Sequence, residues 1–209
     1  MNWLMVLITA VISYLLGSLN FGVIVSKLAL GMDLREHGSG NAGATNAYRV
    51  MGPKFAVPVM IGDILKGVIA SVIGNLLAGE NGRLAAMLFV VVGHIYPLYF
   101  GFKGGKGAIT AIATIGIFDI RIFAIMMAIF LVVVSLTRYV SLGSILAAAA
   151  FPVLIYIFHP TVPCLVVGFI MTFAVIFMHR SNIKRLIAGT ESKFTFKRKN
   201  METKKPKDK

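Results

Sequence analysis

Long apolar runs alternate with short polar stretches along most of this chain. A helix that crosses a membrane needs about 20 successive apolar residues, and several of these runs approach or reach that length. The runs cover approximately residues 3–27, 55–77, 84–100, 108–118, 123–136, 142–158 and 164–178. The pattern predicts an all-α, polytopic integral membrane protein with about seven transmembrane helices, some of them short or half-spanning.

The number of complete spans is open at one place. The run at residues 108–118 has about half the length of a membrane span, so it fits either a short tilted helix or a re-entrant half-helix. Five full spans with a half-depth hairpin over residues 108–136 explain the pattern as well as seven spans do. Turns are expected at residues 80–83 and 119–121. Both counts place the two chain termini on opposite sides of the membrane.

The distribution of Lys and Arg predicts the orientation. Of the 21 basic residues, Arg83 and Arg121 fall on the side of the N-terminus, Lys66 lies within a span, and the other 18 share the opposite side. Because basic loops stay in the cytoplasm, we expect the N-terminus outside and the C-terminus in the cytoplasm. The three polar stretches described below then face the cytoplasm together and can form one site.

Composition supports a membrane protein and limits its partners. Hydrophobic residues make up 57% of the chain and charged residues 14%, against about 25% charged in typical soluble domains. The mean hydropathy is +0.84. We expect one membrane domain over residues 1–192 and a basic, disordered cytoplasmic tail over residues 193–209, which either touches anionic lipid or is simply solvated. No soluble domain presents the net charge of +13, so anionic headgroups and substrates explain it better than nucleic acid does.

The first polar stretch is nearly free of large side chains. It reads Gly38-Ser39-Gly40-Asn41-Ala42-Gly43-Ala44-Thr45-Asn46 and is followed by Arg49. Glycines permit positive φ angles and let successive N–H groups converge, an arrangement that favours anions. The spacing matches a nucleotide-binding P-loop, except that Ala44 stands where such a loop has its lysine. The stretch predicts a phosphate-binding loop without ATPase chemistry; the alternative is a flexible linker between two helices.

The second polar stretch places two lysines around a pair of glycines. It reads Gly101-Phe102-Lys103-Gly104-Gly105-Lys106-Gly107. The ammonium groups of Lys103 and Lys106 can grip a phosphate as point charges. Gly107 stands where a P-loop has Ser or Thr, so the ATPase pattern fails here too. The alternative is ordinary anchoring of a basic loop in the cytoplasm.

The third stretch follows the last apolar run. His179 and Asn182 are three residues apart, so they share one face of a helix. Histidine can donate, accept or transfer a proton near neutral pH, and asparagine offers both a donor and an acceptor. The surrounding basic residues are Arg180, Lys184 and Arg185. The alternative is a basic membrane interface without a chemical role.

Ionisable residues inside the apolar runs are functional candidates because they are costly to bury in a membrane. Asp63 and Lys66 are three apart on a helix and can pair. The alternative role is a structural ion pair that pins a neighbouring helix or the glycine loop. His94, near the end of the third run, either orients a substrate or bonds an interior carbonyl, and we favour the second role.

Several patterns are absent from the sequence and exclude function classes. No histidine is followed by Asp five residues later, as in acyl-CoA-dependent glycerolipid acyltransferases. The four aspartates are too dispersed for the Mg²⁺ site of CDP-alcohol phosphotransferases. Cys164 is the single cysteine, so no disulfide framework or Cys-based metal site is expected.

Together the three polar stretches resemble the cytoplasmic motifs of the PlsY family of bacterial acyl-phosphate:glycerol-3-phosphate acyltransferases. The motifs are Gly38-Ser-Gly-Asn-Ala-Gly-Ala-Thr-Asn46 with Arg49, Phe102-Lys-Gly-Gly-Lys-Gly107, and His179-Arg-x-Asn-Ile-x-Arg-Leu-x-x-Gly-x-Glu191. The resemblance extends from about Leu15 to Glu191, and no motif position departs from it. It implies an integral membrane enzyme of the bacterial cytoplasmic (inner) membrane with its active site facing the cytoplasm.

The resemblance also implies roles for individual residues. The expected active-site residues are Ser39, Arg49, Lys106, His179 and Asn182. The expected phosphate-binding residues are Gly38, Gly40, Asn41, Gly43, Thr45, Asn46, Lys103, Gly104 and Gly105. The expected supporting residues are Asp63, Lys66, His94 and Glu191.

The implied reaction moves a fatty acyl group from acyl phosphate to the 1-hydroxyl of glycerol 3-phosphate, giving lysophosphatidic acid and phosphate. Acyl phosphate is an activated mixed anhydride, so the hydroxyl can attack its carbonyl directly, with the proton taken by the acyl phosphate or by His179. Neither a metal nor a cofactor is expected. The implied partners are the two substrates, membrane lipids and the soluble acyl-phosphate-forming enzyme PlsX.

An anion or organophosphate transporter is the alternative function. Basic loops and the Asp63–Lys66 pair would suit it. A transporter of this kind is expected to carry polar residues through the depth of the bilayer and inverted repeats. Polarity here concentrates at one predicted face and no repeat is visible in the sequence, so the enzyme is favoured.

Overall fold

The computed structural model describes residues 2–195, and within this range regular structure is entirely helical. The helices are α1 (Trp3–Gly17), α2 (Phe21–Leu30), α3 (Ala44–Met51), α4 (Pro53–Ile95), α5 (Ala108–Phe118), α6 (Ile120–Thr137), α7 (Val140–Phe158), α8 (Val162–Met178) and α9 (Arg180–Ile187). Single 3₁₀ turns lie at Leu34–Glu36 and Leu98–Phe100. The predicted all-α class is confirmed.

Four helical stretches in the described range are long and apolar enough to cross a membrane. They are Trp3–Leu30, Pro53–Phe100, Ile120–Thr137 and Val140–Phe158. A fifth is added if α8 and α9, which meet at a bend of 56°, are counted as one. Helix α5 is apolar but shorter. The chain therefore has the helices of a polytopic membrane protein, while the count of seven and the side of each terminus stay predictions.

Helix α4 is a hairpin of two apolar helices. Its backbone leaves the helical conformation at Ala78 and at Gly79, where φ is +57°. A Cβ atom added to Gly74 would lie 2.4 Å from the carbonyl oxygen of Gly82. Eight residues of straight helix would separate these positions by about 12 Å, so the two halves fold back on each other. The two separate runs predicted at 55–77 and 84–100 are confirmed, but the turn begins at 78–79 and not at 80–83.

The first predicted span, residues 3–27, is broken into α1 and α2. The Asn20 side chain caps α2 by accepting from the N–H of Val23 at 3.2 Å. Lys66 from α4 donates to the carbonyl oxygens of Gly17 at 3.1 Å and Leu19 at 2.9 Å. Helix ends leave carbonyls without intrahelical partners, and this ammonium group satisfies two of them.

The hydrophobic core lies between α4, α5, α7 and α8. Its largest fully buried side chains include Met87, Ile115, Phe151 and Met171. Helix α6 buries Ile122 and Met126 near its start and exposes much of its remaining apolar surface. Such a surface fits contact with lipid acyl chains rather than water.

Candidate active site

The first glycine loop is shaped from inside by Asn46, which is 2% exposed. Its Oδ1 atom accepts from the N–H of Ser39 at 2.9 Å. Its Nδ2 atom donates to the carbonyl oxygens of His37 at 2.9 Å and Asn41 at 2.8 Å, and more weakly to that of Leu34 at 3.3 Å. The Asn46 amide is thus hydrogen-bonded within its own loop, and its predicted role in binding phosphate stays a prediction.

Two glycines in this loop need their conformational freedom. Gly38 and Gly40 have φ of +61° and +72°, the left-handed region that side chains disfavour. A Cβ at Gly38 would also lie 2.4 Å from Oδ1 of Asn46. The backbone can thus turn tightly around the Asn46 amide, which sets the direction of the loop.

The loop ends at the N-terminus of α3, where backbone donors remain for a ligand. The N–H of Gly43 is taken by Oδ1 of Asn41 at 2.9 Å. Among the described residues, the N–H groups of Ala44 and Thr45 make no hydrogen bond. Donors at a helix N-terminus carry partial positive charge and suit an anion.

The second glycine loop packs against the end of α4. The N–H groups of Gly104 and Gly105 donate to the carbonyl oxygens of Ile95 and His94, both at 3.1 Å. A Cβ at Gly104 would lie 2.0 Å from the His94 carbonyl oxygen. These glycines therefore permit close packing, and their N–H groups are directed at α4; their predicted role in binding phosphate stays a prediction.

Lys106 joins this loop to the third motif. Its ammonium group donates to Oδ1 of Asn182. Nδ2 of Asn182 in turn donates to Oε1 of Glu191 at 2.6 Å. Ser141 donates to the same oxygen at 2.7 Å, and Arg185 to the other carboxylate oxygen at 2.6 Å. Glu191 therefore orients the amide that accepts from the Lys106 ammonium group, while its supporting role in the site stays a prediction.

Burial and neighbouring groups shift the pKa values of the two charged ends of this network, Lys106 and Glu191. Burial lowers the pKa of the Lys106 ammonium to about 8, an effect that nearby Glu191 opposes only in part. Burial alone would raise the pKa of Glu191, but hydrogen bonds from Asn182, Ser141 and Arg185 hold it below its usual value. At neutral pH the site therefore contains an ammonium group and a carboxylate joined through an amide.

His179 lies at the junction of α8 and α9 and is 3% exposed. Its Nδ1 atom is 2.8 Å from the carbonyl oxygen of Val175. A carbonyl can only accept, so Nδ1 carries the proton and Nε2 of the neutral ring keeps its lone pair. His179 is thus arranged as a proton acceptor.

One cavity of about 900 Å³ contacts all five predicted active-site residues: Ser39, Arg49, Lys106, His179 and Asn182. Its other walls are largely apolar and include Phe123, Met126, Phe130, Phe151 and Met171 from α6, α7 and α8. The cavity therefore joins a polar, cationic end to an apolar channel within the helix bundle. Arg49 at the polar end also donates to the Ser192 carbonyl oxygen at 3.3 Å.

A smaller pocket of about 190 Å³ adjoins the polar end. It shares Ser39, Asn41 and Lys106 with the large cavity and adds Arg180 and Arg185. Among the predicted phosphate-binding residues, Asn41, Gly43, Thr45 and Asn46 line the large cavity and Gly40 the smaller one. Gly38, Lys103, Gly104 and Gly105 line neither.

The intramembrane ionisable residues form a separate buried cluster. Nζ of Lys66 lies 2.9 Å from Oδ1 of Asp63 and 2.8 Å from Nδ1 of His94. The hydroxyl of Thr110 on α5 donates to the Asp63 carbonyl oxygen at 3.3 Å. Asp63 and His94 also line the large cavity. Lys66 also donates to carbonyl oxygens at the break between α1 and α2, while the role of the Asp63–Lys66 pair stays a prediction.

Sequence reasoning gave no individual role to three polar residues around the site, although Arg185 had been noted as part of the basic third stretch. Ser141 and Arg185 hold Glu191, and Arg35 bonds to the second glycine loop. The separation of Arg35 from Asp33 by one residue was a visible signal for a local ion pair. No group of three or more metal-binding side chains occurs within residues 2–195.

Comparisons with known proteins agree with this geometry. A model of the glycerol-3-phosphate acyltransferase family matches residues 7–189. The glycerol-3-phosphate acyltransferase of Thermoanaerobacter pseudethanolicus is 46% identical over 186 residues, covering 89% of this chain and 94% of the relative. The glycerol-3-phosphate acyltransferase of Bacillus subtilis is 40% identical over 190 residues, covering 91% of this chain and 98% of the relative.

Two solved structures share the fold. The crystal structure of PlsY, an integral membrane glycerol 3-phosphate acyltransferase, in its glycerol 3-phosphate form superposes with a TM-score of 0.86 at 37% identity, covering 91% of this chain and 96% of that one. The lysophosphatidic acid form of PlsY superposes with a TM-score of 0.82 at 35% identity and covers the same shares of the two chains. The matches to the family model, to relatives and to these structures each cover most of the chain, which therefore belongs to the glycerol-3-phosphate acyltransferase family.

Proposed function

We propose that this protein transfers a fatty acyl group from acyl phosphate to the 1-hydroxyl of glycerol 3-phosphate, forming lysophosphatidic acid and phosphate. The observation that carries the proposal is the single cavity that runs from five polar side chains into an apolar channel. Such a shape suits one substrate with a phosphate head and an acyl tail. The neighbouring polar pocket, with Arg180 and Arg185, suits a second phosphate.

The proposed chemistry needs no protein nucleophile. The glycerol hydroxyl oxygen forms a bond to the acyl carbon, and the bond from that carbon to the phosphate oxygen breaks. The hydroxyl proton passes to Nε2 of His179 or to the departing phosphate. Lys106, Arg49 and the free N–H groups at the start of α3 stabilise the negative charge on the phosphate that leaves. Holding both substrates at one site supplies much of the remaining rate enhancement.

We further propose that the site faces the cytoplasm of a bacterium across its inner membrane. The distribution of Lys and Arg supports this orientation. Soluble substrates and an acyl-phosphate-forming enzyme such as PlsX would reach the site from that side.

A transporter is disfavoured by the lining of the cavity. Beyond its polar end the large cavity is mainly apolar, which suits an acyl chain and not the passage of a hydrated anion. A transporter would use the buried Asp63–Lys66 pair along its translocation path, whereas Lys66 here also donates to carbonyl oxygens at the break between α1 and α2.

The test uses purified protein in detergent with glycerol 3-phosphate and either palmitoyl phosphate or palmitoyl-CoA, following released phosphate and lysophosphatidic acid. Product from acyl phosphate alone is the expected result. Product from acyl-CoA would contradict the donor assignment. Binding of glycerol 3-phosphate without product from either donor would favour transport.

Substitution of cationic residues that line the large cavity tests whether acyl transfer takes place there. Arg49→Ala and Lys106→Ala are expected to abolish turnover, because each removes a cation from the polar end. Lys54→Ala is the matched control, since Lys54 is exposed and lines neither cavity. A purified Arg49→Ala or Lys106→Ala protein with a near-normal rate would remove that residue from the site.

A further inference from the structure

Arg35 connects the two glycine loops. The Nη1 atom of its guanidinium donates to the carbonyl oxygens of Phe100 at 2.7 Å and Lys103 at 2.8 Å. On the other edge of the guanidinium, Nε and Nη2 donate to the two carboxylate oxygens of Asp33 at 3.0 and 2.8 Å. The Arg35 side chain is 22% exposed, so this bridge is largely shielded from solvent.

The two loops are otherwise attached to different helices. The first is fixed to α2, where the Ser26 hydroxyl accepts from the N–H of Leu34 at 3.1 Å and the Ala42 backbone lies against Gly22. The second is fixed to the end of α4 through Gly104 and Gly105. The first loop carries Ser39, whereas the second carries Lys106. Packing of Ile109 against the cluster that contains Leu34 and Ala44 also relates the two loops, and direct contacts between the loops add to this placement.

The chemistry of arginine suits such a crossing contact. A guanidinium presents five donors in a rigid planar fork, whereas a lysine ammonium is a point charge on a flexible stem. The Asp33 carboxylate compensates the charge, and its hydrogen bonds from Arg35 lower the pKa of Asp33 to about 2. The Asp33 carboxylate therefore stays ionised, and its ion pair with Arg35 stays formed, across the whole physiological pH range.

We propose that Arg35 is a positioning residue for acyl transfer: it sets the distance between the first glycine loop and Lys106 by bridging Asp33 to the Phe100 and Lys103 carbonyls. The proposal rests on the proposed function. Arg35 lines neither cavity, so it acts on the substrates through the loops and not by contact.

The chain contains a matched control for this bridge. Asp119 and Arg121 repeat the Asp-x-Arg spacing of Asp33 and Arg35. Nε and Nη2 of Arg121 donate to the Asp119 carboxylate at 3.1 and 2.6 Å. Arg121 makes no hydrogen bond to a carbonyl oxygen within the described residues, and it lines neither cavity. Arg121→Ala removes the same kind of local ion pair without touching the glycine loops.

The kinetic test compares kcat and KM for glycerol 3-phosphate in purified Arg35→Ala, Arg35→Lys and Arg121→Ala proteins. A displacement of about 1 Å at a reacting centre can cost about 100-fold in rate, so we expect both Arg35 variants to lose between about 10-fold and 100-fold in kcat with little change in KM. Arg121→Ala is expected to stay within about twofold of the unmodified protein. Unchanged kcat in either Arg35 variant would overturn the proposal.

Amide hydrogen exchange provides a second readout that does not require activity. The amides of Gly104 and Gly105 are expected to exchange faster in the Arg35 variants than in Arg121→Ala, because the loop loses its outer support. Unchanged exchange there would overturn the bridging role, even if the unmodified protein gave no acyl transfer. Absence of product with the unmodified protein would instead contradict the proposed function.

Discussion

At the scale of single residues, the lowered pKa of Lys106 predicts how the rate of acyl transfer depends on pH. Burial lowers this pKa to about 8, so the ammonium group, which in the proposed function faces the substrate phosphate, is present below pH 8 and is lost as the pH rises through that value. We therefore expect kcat/KM to fall above about pH 8. The measurement is a pH–rate profile from pH 6 to 10 with acyl phosphate and glycerol 3-phosphate.

The control for this pH dependence is Lys106→Arg. Its guanidinium stays charged throughout this range, so any remaining activity should lack the alkaline decline. An alkaline decline that persists in Lys106→Arg would assign the titration to another group. A flat profile to pH 10 in the unmodified protein would contradict the lowered pKa.

Asn46 gives a second prediction at this scale. Asn46→Ala removes the acceptor for the Ser39 N–H and the donors to the His37 and Asn41 carbonyls. Each buried group left without a partner costs about 1–3 kcal/mol, so a loss of at least about 2 kcal/mol of stability is expected, together with loss of activity. Thermal unfolding in detergent measures it.

Thr45→Val is the comparison for Asn46→Ala. The Thr45 hydroxyl makes no hydrogen bond within the described residues, although it lines the cavity. Its replacement should leave the unfolding temperature nearly unchanged and act on substrate binding. Equal unfolding temperatures for the two variants would exclude a structural role for the Asn46 side chain.

The same loops explain why residue roles were only partly predictable. Glycine spacing indicated polar loops, and residues of both loops, among them Ser39, Thr45 and Lys106, line one cavity. The sequence could not tell which way each N–H points: those of Gly104 and Gly105 point to α4, and the Asn46 amide points into its own loop. Ser141 was not identified because its partner, Glu191, is 50 residues away and no local pattern links them.

At the scale of helices, apolar length predicted most elements, and tertiary contacts decided where they break. The run over residues 3–27 is continuous in hydropathy, yet it breaks before Asn20. The ammonium group that supports this break belongs to Lys66, far along the chain. A local pattern carries no information about such a partner.

The α4 hairpin makes a prediction at this scale. A Cβ at Gly82 would lie 1.9 Å from the Gly74 carbonyl oxygen, and backbone atoms cannot move aside as a flexible side chain can. Gly82→Val should therefore force the two halves apart and cost about 3 kcal/mol, measured by thermal unfolding in detergent.

Gly168→Ala is the control for that substitution. Its added Cβ would lie 3.4 Å from Ile155, an ordinary contact. Because alanine also favours helix more than glycine does, this variant should be neutral or slightly more stable. A Gly82→Val protein as stable as Gly168→Ala would show that the halves are not packed at this crossing.

At the scale of the whole molecule, three stretches that are spread along the chain from Gly38 to Glu191 meet at one end of the bundle. The bond from Lys106 to Asn182 joins the second and third, and the Arg35 contacts join the first and second. The alternation of spans predicted this meeting, since loops on the same side of a membrane can assemble. The depth of the apolar channel could not be predicted, because it depends on how α5, α6 and α7 pack.

The opposite end of the bundle allows the orientation to be tested. Helix α5 separates Lys106 from Asp119 by about 16 Å of helix. Asp119 there bonds to Arg121 and to His159, at 2.6 and 2.8 Å. The Lys/Arg distribution predicts that this end lies outside and that the proposed active site faces the cytoplasm.

Cysteine labelling distinguishes the two ends. Cys164, the single cysteine, is first replaced by Ser, and then Lys103→Cys and Arg121→Cys are made separately. Both positions are exposed, so a membrane-impermeant maleimide can react wherever it has access. We expect Arg121→Cys to react in intact cells and Lys103→Cys only after the cells are permeabilised. The reverse pattern would put the two glycine loops outside and would contradict the proposed orientation.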